Sequence, residues 1–247
     1  MKLYGKTDVG IVRSSNQDNF VVRNLDQNCA YAIVCDGMGG HNGGNIASEL
    51  AVRSLDSALS AGYDASTRNR NVRNLLNNVV RHANGTVYSV SLKDEHLKGM
   101  GTTVVLAYVV DEQLYVAHVG DSRAYLFENG KMRPITKDHS IVQQMLDSGK
   151  ITPEEAREHP YRHIIKRVVG FTGEAEPDIG VFDFTPQSMV LLCSDGLTNV
   201  LEDDQIEAII ANTPHNQVCS ELIRQANQGG GPDNITVAII AGEDEGV

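Results

Sequence analysis

A chain of 247 residues is long enough to bury a substantial core and falls in the range of one large α/β domain. With 21 Lys plus Arg against 32 Asp plus Glu, the formal net charge of −11 repels nucleic acid and anionic lipid, which excludes polyanion binding as the main activity. It leaves anionic substrates open, because cations gathered by a cluster of carboxylates reverse the field locally.

The chain begins Met-Lys-Leu-Tyr-Gly-Lys-Thr-Asp, without the apolar core of a signal peptide. No apolar stretch approaches the ~20 residues that span a bilayer, so a cytoplasmic location and no membrane span are expected. Residues 2 to 35 read as short strands, among them Phe20-Val21-Val22 and Tyr31 to Cys35, separated by a polar turn from Asn24 to Asn28. After the glycine-rich segment Gly37 to Gly44, apolar residues from Ile46 to Leu59 recur at helical spacing. Val72, Leu75, Leu76, Val79, Val80, Ala83, Val87 and Val90 form the apolar stripe of a second, longer helix that should pack on a sheet.

From Thr102 the pattern changes to β-branched residues at period two. Strands are expected over 103–110, 113–119 and 123–127, with Asp111-Glu112 and Glu128-Asn129-Gly130 as turns of an antiparallel meander. Residues 139–175 read as a polar, partly helical flap, in which Thr152 is the N-cap and Pro153 the first residue of a helix. Strands return over 179–184 and 189–193, helices over 203–211 and 216–227, and the last strand over 235–241. Residues 242–247 form a short acidic tail. Strands joined mostly as hairpins favour antiparallel sheets over a doubly wound parallel sheet.

Four aspartates stand where apolar strands break: Asp36, Asp121, Asp195 and Asp233. Three are followed by Gly37, Ser122 or Gly196, residues that let the chain turn and leave the carboxylate exposed. Oxygen-only ligands favour Mg²⁺ or Mn²⁺. The cysteines, Cys29, Cys35, Cys193 and Cys219, have no CxxC spacing and no histidines at zinc-ligand intervals, so neither zinc nor a disulfide framework is expected and a reducing compartment is implied. Neither GxGxxG after a strand nor GxxxxGK[ST] occurs, and Ser122 and Ser194 lack a nucleophile-elbow pattern.

In chain order, Arg13-x-x-Asn16-Gln17-Asp18, Asp36-Gly37-Met38-Gly39-Gly40-His41, Gly101-Thr102-Thr103, Gly120-Asp121-Ser122-Arg123, Ser194-Asp195-Gly196-Leu197 and Gly231-Pro232-Asp233-Asn234-Ile235-Thr236 form a set. This set resembles the metal-dependent serine/threonine protein phosphatases of the type 2C family, in their compact bacterial form, from about Thr7 to Ala241. The resemblance implies one catalytic domain over 1–241, an α+β fold in which two central antiparallel sheets are flanked by helices as a four-layer α-β-β-α sandwich. It also implies two Mn²⁺ or Mg²⁺ ions, with a weaker third, in a cleft at one end.

By that pattern Asp36 bridges both ions, Asp195 and Asp233 complete the first, the Gly37 carbonyl helps hold the second, and Asp18 acts on the second mostly through water. Asp121 takes the third position together with Asp195. The implied reaction is hydrolysis of phosphoserine and phosphothreonine in proteins by a water bridging the two ions. Arg13 would meet the phosphoryl oxygens and His41 would protonate the leaving group. The implied partners are phosphoproteins, including a cognate serine/threonine kinase; a monomer is the default state. His163 stands where relatives usually carry Asn, and Gln17 where animal members carry an acid. A haloacid-dehalogenase-like phosphatase would need a second Asp two residues after Asp36, where Met38 stands. The non-enzymatic alternative is a pseudophosphatase that binds phosphoproteins without hydrolysing them.

Overall fold

In chain order the elements are β1 (Lys2–Asp8), β2 (Asp18–Asp26), β3 (Cys29–Met38), α1 (Gly40–Ala61), α2 (Val72–Ser91), β4 (Gly101–Thr102), β5 (Val104–Val110), β6 (Gln113–Val119), β7 (Arg123–Glu128) and β8 (Lys131–Pro134). They continue with α3 (Ile141–Asp147), α4 (Pro153–Glu158), β9 (Asp178–Asp183), β10 (Met189–Cys193), α5 (Asp195–Thr198), α6 (Asp203–Asn212), α7 (His215–Gln228) and β11 (Ile235–Ala241). The computed structural model describes residues 1–66 and 70–243, with the side chains of residues 40–42 outside that description.

Two antiparallel sheets carry the architecture. One has the strand order β1-β11-β10-β7-β8 and the other β2-β3-β5-β6-β9, with β4 added to the end of β3. Period-two alternation decides which residues meet. Along β5, Val105, Ala107 and Val109 point to the opposite sheet, where they meet Leu126, Val190, Leu192, Ala238 and Ile240. Val104, Leu106, Tyr108 and Val110 point the other way, against Leu55, Leu59, Leu76 and Val80 of α1 and α2. The outer face of the first sheet is covered likewise: Leu191, Val237 and Ile239 pack on Ile206 and Ile210 of α6 and on Val218 and Leu222 of α7. Both sheets therefore bury two faces, which explains why strands such as β5, β10 and β11 read as continuous apolar runs. Two antiparallel sheets between helical layers are the expected four-layer sandwich.

The helices and the meander fall close to their expected ranges. Thr152 caps α4 as expected, in a reciprocal capping box: its hydroxyl accepts from the Glu155 amide at 3.3 Å, and Glu155 Oε2 accepts from the Thr152 amide at 2.8 Å. The turn after β7 uses Asn129 and Gly130, both at positive φ, 52° and 74°, as a tight hairpin requires. Its return strand β8 was not legible in the polar sequence of 131–134. Nor was it legible that β1 would pair with β11, in a register from Lys2↔Ala241 to Asp8↔Ile235, which places the two ends of the chain side by side. One expectation is corrected: β3 does not break at Asp36. It runs on to Met38, because Gly37 and Met38 pair with Thr102 and Gly101 of β4.

All four cysteines are free and buried, three of them in strands and Cys219 in α7. No helix among the described residues is long and apolar enough to cross a membrane.

Candidate metal centre

Asp18 and Asp36 sit directly opposite one another in the β2–β3 ladder, so their side chains leave the same face of the sheet. The backbone of Asp36 is clamped by the Gly101-Thr102-Thr103 segment. Its carbonyl accepts from Thr102 Oγ1 and from the Thr103 amide, each at 2.8 Å, and its amide donates to Thr103 Oγ1 at 2.9 Å. Thr103 Oγ1 also shares a 2.7 Å hydrogen bond with Ser122 Oγ, which ties the Asp36 strand to the turn that carries Asp121. That turn needs Gly120, at φ +112°, where a Cβ would stand 2.6 Å from the Thr103 methyl.

From the other sheet, Asp195 opens α5 directly after β10, and Asp233 precedes β11 after two glycines at positive φ, Gly230 and Gly231. Asn234 secures the loop before β2: its Oδ1 accepts from the Gln17 amide at 2.8 Å, and its Nδ2 donates to the Val9 and Ser15 carbonyls, each at 2.9 Å. This brings Arg13 to Asp233, with Nη2 donating to Oδ2 at 2.7 Å. Ser194 Oγ donates to Asp18 Oδ2 at 2.7 Å while accepting from the Thr236 amide at 3.0 Å. Asn199 Nδ2 donates to Asp195 Oδ2 at 2.9 Å.

The electrostatics are those of crowded, buried carboxylates, of which Asp233 is paired with Arg13. Burial, opposed in part by hydrogen bonds from Thr236 and Ser194, pushes Asp18 up to about 7, with Asp195 and Asp233 adding repulsion. Asp121 rises to about 8, again chiefly through burial and then through Asp195 and Asp138. Asp36 is raised well above its ordinary range by burial and by Asp18, Asp195 and Asp121. Asp195 is raised by burial and by Asp233, although hydrogen bonds from Asp36 and Asn199 hold it down. One oxygen each of Asp18 and Asp121 is buried with no hydrogen-bond partner. Buried unpartnered carboxylate oxygens in an all-oxygen set are what a hard divalent cation would satisfy, so the residues fit Mn²⁺ or Mg²⁺.

Gly37 cannot carry a side chain here. A Cβ would lie 2.0 Å from the Gly44 carbonyl oxygen and 2.7 Å from that of Gln17, while the Gly37 carbonyl itself packs on Gly44. The expected metal-site residues Asp18, Asp36, Gly37, Asp121, Asp195 and Asp233 thus converge, with Arg13 beside them. The backbone of His41 lies in the first turn of α1, and its side chain is outside the described residues. Sequence reasoning dismissed Ser194 as a nucleophile and did not foresee its hydrogen bond to Asp18. The small residue between an apolar strand and Asp195 was the available signal. Thr102, Thr103 and Asn234 were legible as parts of motifs but not as the clamps they are.

A cleft of about 420 Å³ runs from Asp121 and Asp195 under α3 and α4, with Arg123, Arg157 and Arg162 on its walls. The base of the flap is anchored through His139, whose amide donates to the Gly120 carbonyl at 2.9 Å and whose Nδ1 accepts from the Gly120 amide at 3.1 Å. Nε2 lies 2.8 Å from Arg167 Nη1 and 3.2 Å from Asp178 Oδ2. His118 stacks on His139 with ring centroids 4.6 Å apart, and burial and the His118 and Arg167 charges lower His139 to about 4.

Comparison with known proteins gives the family. The family model described as protein phosphatase 2C matches residues 11–236. The serine/threonine phosphatase stp of Listeria monocytogenes is 38% identical over 236 residues, covering 95% of this chain and 93% of that one. The protein phosphatase PhpP of Streptococcus pneumoniae is 38% identical over 242 residues, covering 97% and 96%. Among solved structures, the serine/threonine phosphatase PstP/Ppp of Mycobacterium tuberculosis superposes with a TM-score of 0.89 at 33% identity, over 98% of this chain and 99% of that one. The catalytic domain of PstP in complex with two manganese ions superposes with a TM-score of 0.87 at 32% identity, over 98% of each chain. The chain belongs to the protein phosphatase 2C family, the metal-dependent serine/threonine protein phosphatases.

Proposed function

We propose that this carboxylate cluster hydrolyses phosphoserine and phosphothreonine in proteins, with Asp18, Asp36, Asp195, Asp233 and the Gly37 carbonyl holding two divalent ions and Asp121 sharing a third with Asp195. The observation that carries the reading is the convergence of five carboxylates from both sheets around buried, unpartnered oxygens of Asp18 and Asp121. Bound there, Mn²⁺ or Mg²⁺ supplies the Lewis acidity that makes water a nucleophile near neutral pH and offsets charge on the phosphoryl group.

The protein's own groups do the rest. Asp36 and Asp195, fixed by Thr102, Thr103 and Asn199, hold the reacting centre at the seam of the two sheets. Arg13 is about half exposed and so can turn from Asp233 to present two parallel N–H donors to the phosphoryl oxygens. His41 is assigned the proton for the leaving oxygen, a role that suits an imidazole near neutral pH. Residues 1–241 act as one catalytic unit, to which β1 and β11 contribute from the two ends of the chain. Phosphoproteins are the substrates, a cognate serine/threonine kinase among them. The cytoplasm is the proposed compartment, supported by four buried free cysteines.

Phosphate release from a phosphothreonine peptide, measured with Mn²⁺, with Mg²⁺ and with excess chelator, tests the reading. Turnover that requires metal and is lost in Asp195→Asn supports it. Metal-independent turnover, or turnover retained in Asp195→Asn, overturns the site. Binding of the phosphopeptide without hydrolysis would mark a pseudophosphatase.

A further inference from the structure

We propose that the exposed aliphatic run Val9 to Val12 is a docking lip for the polypeptide that flanks the phosphorylated residue. The enzyme then prefers phosphoproteins with an aliphatic side chain close to the phosphoserine or phosphothreonine. This rests on the phosphatase reading above and adds a substrate class to it.

Large apolar side chains are exposed at few places among the described residues, and three of them fall in this one four-residue run: Val9 at 37%, Ile11 at 67% and Val12 at 70%. The others, Leu92, Tyr161, Ile164 and Phe171, are spread over the end of α2 and the flap. Scattered exposed aliphatics are ordinary, but a contiguous group at the rim of a site marks a contact surface.

The run is also fixed in place. The Ile11 and Val12 amides both donate to the Gly231 carbonyl, at 2.8 and 3.2 Å, and the Val9 carbonyl accepts from Asn234. Gly10 turns the chain at φ +80°, so close to the Asp233 carbonyl that a Cβ would lie 2.2 Å from it. A held loop loses little conformational freedom when a ligand settles on it.

Its position names the occupant. Val12 is followed by Arg13, whose guanidinium reaches Asp233 at 2.7 Å, so the lip borders the carboxylate cluster at the distance of a neighbouring residue. A phosphorylated side chain reaching that cluster carries its adjacent residues past the lip on one side. On the other side they pass the cleft under the flap, whose walls hold Arg123, Asp138, Arg157 and Arg162. The cleft also offers Val142, Leu146 and Leu201 among its charged walls, whereas on the Arg13 side the apolar surface is the exposed pair Ile11 and Val12.

The test is a set of phosphothreonine peptides with Mn²⁺, differing only in Leu, Val or Ser at the three positions on either side of the phosphothreonine. A Gly/Ser-flanked peptide serves as internal reference. The wild-type protein should favour aliphatic flanks about 5-fold or more in kcat/KM, through KM. The double variant Ile11→Ser/Val12→Ser, and separately the shape-conserving Val12→Thr, should reduce that ratio towards one while still hydrolysing the reference peptide. No preference in the wild type, or a preference that survives the double variant, overturns the lip. A wild-type dimer in sedimentation that the double variant dissociates would assign the run to a second copy of the chain instead, and would also overturn it. Failure of the wild type on every peptide would count against the phosphatase reading itself.

Discussion

Arg13 Nη2 and Asp233 Oδ2, 220 residues apart in sequence, lie 2.7 Å apart in the folded chain. The guanidinium occupies a carboxylate that the proposed mechanism gives to a cation. When a divalent ion takes that carboxylate, Arg13 becomes available to the phosphoryl group. Arg13→Ala should therefore lower kcat by about 10²-fold, the usual loss when one preorganised donor to a transition-state oxygen is removed. Arg13 is about half exposed and water screens the pair, so stability should change by no more than about 1 kcal/mol. Lys at this position should recover only part of the rate, since it lacks the planar fork. Steady-state kinetics beside thermal melts check both parts; a large loss of stability with kcat intact would contradict the assignment.

Asp36→Asn should abolish hydrolysis and yet raise the melting temperature of the chelator-treated protein. The substitution removes a carboxyl that burial and three neighbouring aspartates hold far from its preferred state. A rise of a few °C corresponds to about 1 kcal/mol for a chain of this size. In Mn²⁺ the order should reverse, because the wild type gains cation binding that the variant lacks. A variant less stable than wild type in chelator would show that Asp36 serves the fold rather than the site.

Stability should depend on pH in opposite senses with and without cations. Without them, Asp18 near 7 and Asp121 near 8, against an ordinary 3.8, keep protons that the unfolded chain releases, so stability falls as pH rises from about 4 to 8. His139, near 4 against an ordinary 6.5, works the other way between those two values, and His118, also lowered by burial, acts in the same sense, but they stand against the four raised carboxyls Asp18, Asp36, Asp121 and Asp195. With Mn²⁺ present, cations and protons compete for the same oxygens, and stability rises with pH. Melts at about pH 6 and pH 8 in chelator and in Mn²⁺ should cross. Saturation at 100 times Kd adds about 2.7 kcal/mol, and parallel slopes in the two conditions would refute the argument.

Ser194→Ala should weaken the fold by about 1–3 kcal/mol, because the buried Thr236 amide loses its acceptor and Asp18 loses a donor. Activity should fall but persist, as Ser194 supports Asp18 and does not attack phosphorus. Urea titration and a Mn²⁺ dependence of turnover separate the two effects; complete inactivity with normal Mn²⁺ binding would give Ser194 a chemical role.

Gly37→Ala should yield protein that neither binds Mn²⁺ nor turns over, since its methyl group would have to displace the Gly44 and Gln17 carbonyls from within 3 Å. Normal Mn²⁺ affinity by calorimetry would rule out the close approach of α1 and the loop before β2 to Gly37.

Most of the secondary structure is a local property of this sequence. The apolar stripe of α2, the alternation over β5 to β7 and the Thr152 cap of α4 each depend on residues a few positions apart, where periodicity and side-chain chemistry act directly. The aspartates were recognisable for a similar reason, from small residues beside a carboxylate near the end of an apolar run, but the expected exposure was wrong: Asp121 is buried and Asp36 lies within β3, because the two sheets close over their rim. Tertiary structure alone decided that β1 would close on β11, that Arg13 would meet Asp233, and that Ser194 would reach Asp18 across 176 residues. No short-range pattern encodes those meetings. They follow from the burial of two apolar sheet faces against each other, which brings strand ends from distant parts of the chain to one rim and leaves their carboxylates crowded there.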